Sequence, residues 1–134
     1  MRTTLATICG LVAAVFLIFV LEATGHLLWP PPAWMDASDP ESIRRALPLL
    51  PLGAVISLTA AWILGTFTGS WLGTLIARRA LPACIVGAFV ASSALITLFL
   101  IPHPIWYWIV ALVLVPLAAY AGALLACRKI AKPS

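Results

Sequence analysis

Four apolar stretches, each broken off by prolines or by basic residues, leave this chain little choice of environment. They run from about Leu5 to Trp29, Pro51 to Ala77, Leu81 to Ile101 and Ile105 to Cys127. Each is long enough to cross a bilayer, which takes roughly 20 apolar residues at helical rise. Backbone in hydrocarbon must satisfy its own hydrogen bonds, so runs of this length fold as helices. The expected fold is therefore all-α: one integral membrane bundle of four transmembrane helices covering residues 1–134. Composition agrees, because 63% hydrophobic and 9% charged residues leave too little polar surface for a soluble core. A soluble active site is excluded, and the lipid bilayer is the first partner.

The net charge of +4 might suit nucleic acid, but the basic residues stand in small groups at span ends. That placement is a topology signal and gives no nucleic-acid partner. With four spans, Arg2, Arg78, Arg79, Arg128, Lys129 and Lys132 share one side, while Arg44 and Arg45 lie opposite among Asp36, Asp39 and Glu41. The positive-inside rule then puts both termini in the cytoplasm. The first run resembles a signal peptide in position only. Its apolar stretch exceeds the usual roughly 7–15 residues and no A-x-A site follows, so it is expected to be retained.

The outer loop, residues 30–50, opens on Pro30-Pro31-Pro32, which cannot continue a helix. Within it, Ser38-Asp39-Pro40-Glu41 predicts a helix start, with serine or aspartate as cap and proline in the first turn. A short interfacial helix should follow from about Pro40 to Leu47, lying at the lipid surface over the end of the first span.

The second span carries a row of small residues at four-residue spacing: Gly53, Ser57, Ala61, Gly65, Gly69, Gly73 and Ala77. Ser57, Ala61, Gly65, Gly69 and Gly73 are its helix-packing core, a doubled G-x-x-x-G that lets another helix approach closely. The partner can belong to this chain or to a second copy, so a homo-oligomer or another membrane protein is an expected partner. The third and fourth spans, joined by Pro102-His103-Pro104, form a hairpin. Trp106-Tyr107-Trp108 reads as an interfacial anchor, and Pro116 should kink the last helix, releasing the Leu112 carbonyl. Cys9, Cys84 and Cys127 have no metal-type spacing and read as buried small hydrophobes.

One constellation has chemical potential. Glu22 is the only acid inside an apolar run, and an ionisable group there is expensive enough to mark a functional site. His26 follows four residues later, on the same helix face. His103, stiffened between two prolines, is brought to the same outer level by the topology. Three readings compete. Glu22, His26 and His103 can form a site for a divalent metal with an open position, as a membrane-embedded metal enzyme would need. Glu22 can act as a protonatable or ion-binding group of a small transporter or channel, tuned by His26. Or Glu22 and His26 bond each other, or meet Arg44 or Arg45, and pin the loop, in a protein that is a structural or accessory subunit packing through its glycine face.

Glu22-Ala23-Thr24-Gly25-His26, Pro30-Pro31-Pro32 with Met35-Asp36, and Ile101-Pro102-His103-Pro104 with Trp106 resemble a family of small four-helix bacterial inner-membrane proteins with no established activity. The resemblance implies a bacterial inner-membrane location and the topology above, and no mechanism. Small multidrug-resistance exporters are similar in size and in holding one carboxylate in the first helix. Here Glu22 lies well past mid-span and their aromatic and proline-rich motif has no counterpart, so the likeness stops at a proton-coupled dimer. The glycine and arginine signature of fluoride channels is missing.

Overall fold

A computed structural model describes residues 1–100 and 105–131. His103 and Lys132 lie outside the described residues. The described chain is helical throughout its spans: α1 (Arg2–Leu28), the short α2 (Pro40–Ala46), α3 (Leu52–Ala77), α4 (Leu81–Leu100) and α5 (Ile105–Ala131). Four of these, all but α2, are long and apolar enough to cross a membrane, as expected of an all-α membrane bundle. α1 begins at Arg2 and α5 continues to Ala131, both beyond the apolar runs, because a helix does not have to stop where the hydrocarbon does.

The bundle is built inside out relative to a soluble protein. Phe16, Phe19 and Phe99 are more than 60% exposed, while Thr66, Ser70 and Thr74 are fully buried. Apolar side chains gain nothing from burial when the surroundings are lipid tails, so small residues that let backbones touch are placed inside. α3 is the centre, packed against α1, α4 and α5.

The seam between α1 and α3 is antiparallel and uses the small row within the chain. A Cβ placed on Gly10 would stand 2.7 Å from the Gly69 carbonyl oxygen, and one on Gly69 would meet the Gly10 carbonyl and the Ala14 side chain. Gly65 faces Ala14 and Ile18, and Gly73 faces Ala6. At the far end Gly25 meets Ser57, and the Trp29 indole lies against Gly53. The Gly65/Gly69/Gly73 face is thus covered by α1 and is not open to a second copy.

At the end that carries both termini, Arg2 Nε donates to the Ile76 carbonyl at 2.8 Å, satisfying an orphan acceptor of the last turn of α3. Arg78 closes that helix in the left-handed region, φ 54°, and α4 starts three residues later. Lys129 stands 5.6 Å from the Trp71 ring centroid.

At the opposite end the loop folds over the bundle. Asp39 is the cap of α2, accepting from the Glu41 and Ser42 amides at 3.1 Å each, while Ser38 turns back to Asp36. Ser42 Oγ in turn accepts from the Asp36 amide at 2.8 Å, tying α2 to the preceding turn. Pro116 disrupts α5 through a π turn over Val110–Leu114, in which the Val115 amide donates to the Val110 carbonyl five residues back.

Two sequence expectations are corrected here. Tyr107 is not an interfacial anchor: it is 2% exposed and packs in a core cluster with Trp62, Leu98 and Ala111, while Trp106 stays exposed. Cys9, Cys84 and Cys127 are exposed on the bundle surface rather than buried, because the small interior positions are taken by glycine, alanine and hydroxyl residues.

Candidate functional site

Towards the loop end the α1/α3 seam changes character. After Ile18 the next α1 residues towards the loop are Glu22, Gly25 and His26, and α3 answers with Trp62 and Ser57. A tryptophan N–H inside a span needs an acceptor. Trp62 Nε1 finds it in Glu22 Oε1 at 2.9 Å. This bond holds the carboxylate by a neutral donor and leaves its second oxygen free of any hydrogen bond to the described residues.

Glu22 is half-buried and faces a cavity of about 200 Å³ at the loop end. His26, Gly25, Ser57 and Thr97 line it from the bundle, and Ile43 and Leu47 roof it. The structure therefore brings Glu22 and His26 to one cavity beneath α2, as their four-residue spacing and the loop's position suggest. They do not pair: the ion pairs among the described residues are those of Glu41 with Arg44 and Arg45, both 3.8 Å and exposed. Glu22 thus engages neither His26 nor the loop arginines. Among the described residues no group of three His, Cys, Asp or Glu side chains could hold a metal ion. The metal set proposed from sequence depends on His103, so Glu22 and His26 alone stand here.

Three features of the site were not read from the sequence. The first is Trp62 as the donor to Glu22. Its need for an acceptor and the scarcity of acids within the spans were the available signal. The second is Tyr107, whose hydroxyl is hydrogen-bonded to the Thr59 side chain and lies within electrostatic range of Glu22. Thr59 donates its own proton to the Val55 carbonyl at 2.9 Å. The third is a hydroxyl column on α3. Trp62, Thr66, Ser70 and Thr74 repeat every four residues beside the glycine row, and all are buried. Thr66 Oγ1 donates to the Trp62 carbonyl at 2.6 Å, whereas Ser70 Oγ and Thr74 Oγ1 have no partner among the described residues. Unpaired hydroxyls in a membrane interior cost about 1–3 kcal/mol each, so this column is a polar track kept at some expense.

Outside the spans, Asp36 accepts from both the hydroxyl and the amide of Ser38, at 2.6 and 2.8 Å. These bonds to the Ser38 hydroxyl and amide hold its carboxyl below the ordinary value of 3.8.

No protein-family model, curated protein or solved structure matches the chain. What its own residues establish is a small multi-pass helical membrane protein with a single carboxylate set inside its bundle.

Proposed function

We propose that this chain is a small transporter or channel-like protein for a cation, the proton first, with Glu22 as the binding group. The observation that carries this reading is the state of Glu22: an acid within a span, facing a cavity, held by the neutral donor Trp62 and by no cation among the described residues. A carboxylate in such surroundings attracts positive charge, since low dielectric strengthens the attraction. His26 stands exposed at the mouth of the same cavity, where it can pass protons between water and Glu22.

The grouping of Arg2, Arg78, Arg79, Arg128 and Lys129 at one end supports, by the positive-inside rule, cytoplasmic termini and a Glu22 cavity on the outer side. A bacterial inner-membrane location is part of this reading, supported by the resemblance to the small four-helix inner-membrane proteins. Purified protein in liposomes, loaded with a pH-sensitive dye and given a potassium–valinomycin potential, should pass protons, and Glu22→Gln should abolish the flux. Equal flux in the two proteins refutes the reading. Metal analysis of the same preparations separates a divalent cation from the proton, because only a metal site predicts content that falls in Glu22→Gln and His26→Ala.

An accessory-subunit reading needs a free packing surface, and one observation favours a particular place. Between α4 and α5 runs an apolar groove of about 440 Å³ lined by small residues that include Ala88, Ala91 and Ala123. Association through this groove predicts that Ala88→Leu yields monomers while Glu22→Gln leaves the complex intact.

A further inference from the structure

The end of the bundle that carries the termini holds positive charge with no side chain to balance it. Arg2, Arg78, Arg79, Arg128 and Lys129 gather there, whereas the four acids of the chain, Glu22, Asp36, Asp39 and Glu41, all lie towards the other end. Arg2 is bonded to the Ile76 carbonyl and Lys129 stands by the Trp71 ring. Among the described residues the ion pairs are those of Glu41, so none of these cations has a carboxylate beside it.

Beside this cluster opens the apolar groove between α4 and α5, about 440 Å³ in volume and lined by no charged residue. The chain places cations at its mouth. Ala80, at one lip, directly follows Arg79; Cys127, at the other, directly precedes Arg128, which lies one turn beyond Leu124. Arg79 and Arg128 are both exposed. From the mouth the groove runs past Cys84 and Ala88 and ends level with Ala91 and Pro116, about 16 Å of helix away. Half the hydrocarbon thickness of a bilayer is about 15 Å, so the groove is one leaflet deep. Its floor is the contact of Gly87 with Ala119, where a Cβ on the glycine would stand 2.7 Å from that of the alanine.

An occupant that fits is apolar over one leaflet and anionic at the mouth. A second copy of the chain meets neither condition. Inserted in the same orientation it adds its own arginines at the same level, and its spans do not stop at mid-bilayer. We propose that the groove binds an acidic phospholipid, with one acyl chain along Cys84, Ala88 and Leu124 and the phosphate held by Arg79 and Arg128. Guanidinium groups suit this task because they meet phosphate oxygens with two parallel hydrogen bonds. The bound phosphate then ties the turn ahead of α4 to the end of α5, a role independent of Glu22.

The test titrates the delipidated full chain, in mild detergent, with dioleoylphosphatidylglycerol and with dioleoylphosphatidylcholine, which has the same chains and no net charge. Native mass spectrometry reads the lipid retained and the number of protein copies together. One phosphatidylglycerol should stay on the monomer about tenfold more tightly than phosphatidylcholine. Arg79→Gln combined with Arg128→Gln should abolish that preference, while Arg44→Gln combined with Arg45→Gln at the other end should leave it intact. Ala88→Leu, at an exposed position, keeps both arginines, fills the groove and should weaken retention. Glycerophosphoglycerol, the headgroup without chains, should not displace the lipid. A second readout needs no variant: Cys84 and Cys127 line the groove and Cys9 lies exposed on α1, so phosphatidylglycerol should slow alkylation of the first two by N-ethylmaleimide and leave Cys9 unchanged. The proposal is overturned by equal retention of the two lipids, or by a preference that survives loss of Arg79 and Arg128 or follows Arg44 and Arg45 instead. Retention indifferent to Ala88→Leu, displacement by the headgroup alone, or unslowed alkylation of Cys84 and Cys127 overturns it equally. Dimers that exclude lipid and dissociate in Ala88→Leu would give the groove to a second copy.

Discussion

The two halves of the α1/α3 seam use the same helices at the same four-residue spacing and reach opposite results. Towards the termini, Ala6, Gly10 and Ala14 meet Gly65, Gly69 and Gly73 with backbone against backbone. Towards the loop, Ile18 lies on Gly65, Glu22 meets Trp62 and Gly25 meets Ser57, and two hollows open beside the Glu22–Trp62 contact. Residue size explains the difference. Where both partners lack bulk the seam closes and gains dispersion contacts over its whole length. At the Glu22–Trp62 contact a large side chain stands on each helix, and the hollows beside it leave the carboxylate both held and reachable. One half is the clamp and the other is the site.

That division can be broken most forcefully at Gly69. A Cβ there meets the Gly10 carbonyl and Ala14, neither of which can swing aside, so Gly69→Ala should cost about 3 kcal/mol, the upper end of overpacking. Unfolding by dodecyl sulfate in mixed micelles measures it; a neutral result would mean that the clamp is not tight.

Next comes Trp62→Phe, which strips the carboxylate of its donor at a loss of about 2 kcal/mol. The same titration run on the double variant with Glu22→Leu should recover part of that loss, because both polar partners are then gone.

Gly25→Ala sharpens the contrast with Gly69. Its Cβ would stand 2.7 Å from the Ser57 hydroxyl, a side chain that can rotate away, and alanine adds helix propensity of about 1 kcal/mol. Stability should change by less than about 1 kcal/mol.

The smallest effect belongs to the loop above the site. Because the Asp36 carboxyl is held below its ordinary value of 3.8, its bonds to Ser38 are at full strength above that value and weaken as pH falls through the lowered one. Amide exchange of the loop should therefore be flat from neutrality to mildly acidic pH and should quicken only below it. An earlier onset would point to another group.

Much of this architecture is written locally. The spans follow from apolar length, the cap of α2 from Asp39-Pro40, and the common cavity of Glu22 and His26 from their spacing. The small row announces close packing, although only the structure assigns its partner to α1. Trp62 was harder, because its bond to Glu22 needs the register between two helices that are far apart in sequence. Tyr107 was harder still. Its neighbours Trp106 and Trp108 match the pattern of an interfacial belt, and nothing local says that the middle ring turns inward to Thr59.

The π turn ahead of Pro116 bears on that last point through angular phase. A π turn holds one residue more than the α turn it replaces, so it resets by about 100° the direction in which everything beyond it faces. Tyr107 lies on one side of the turn and the face formed by Ala118, Gly122 and Ala126 on the other. Removing one residue from the turn would rotate everything before it by about 100° relative to the alanine and glycine face and swing Tyr107 out of the core. In that sense a single surplus residue in the last span sets whether a phenol stands near Glu22 at all.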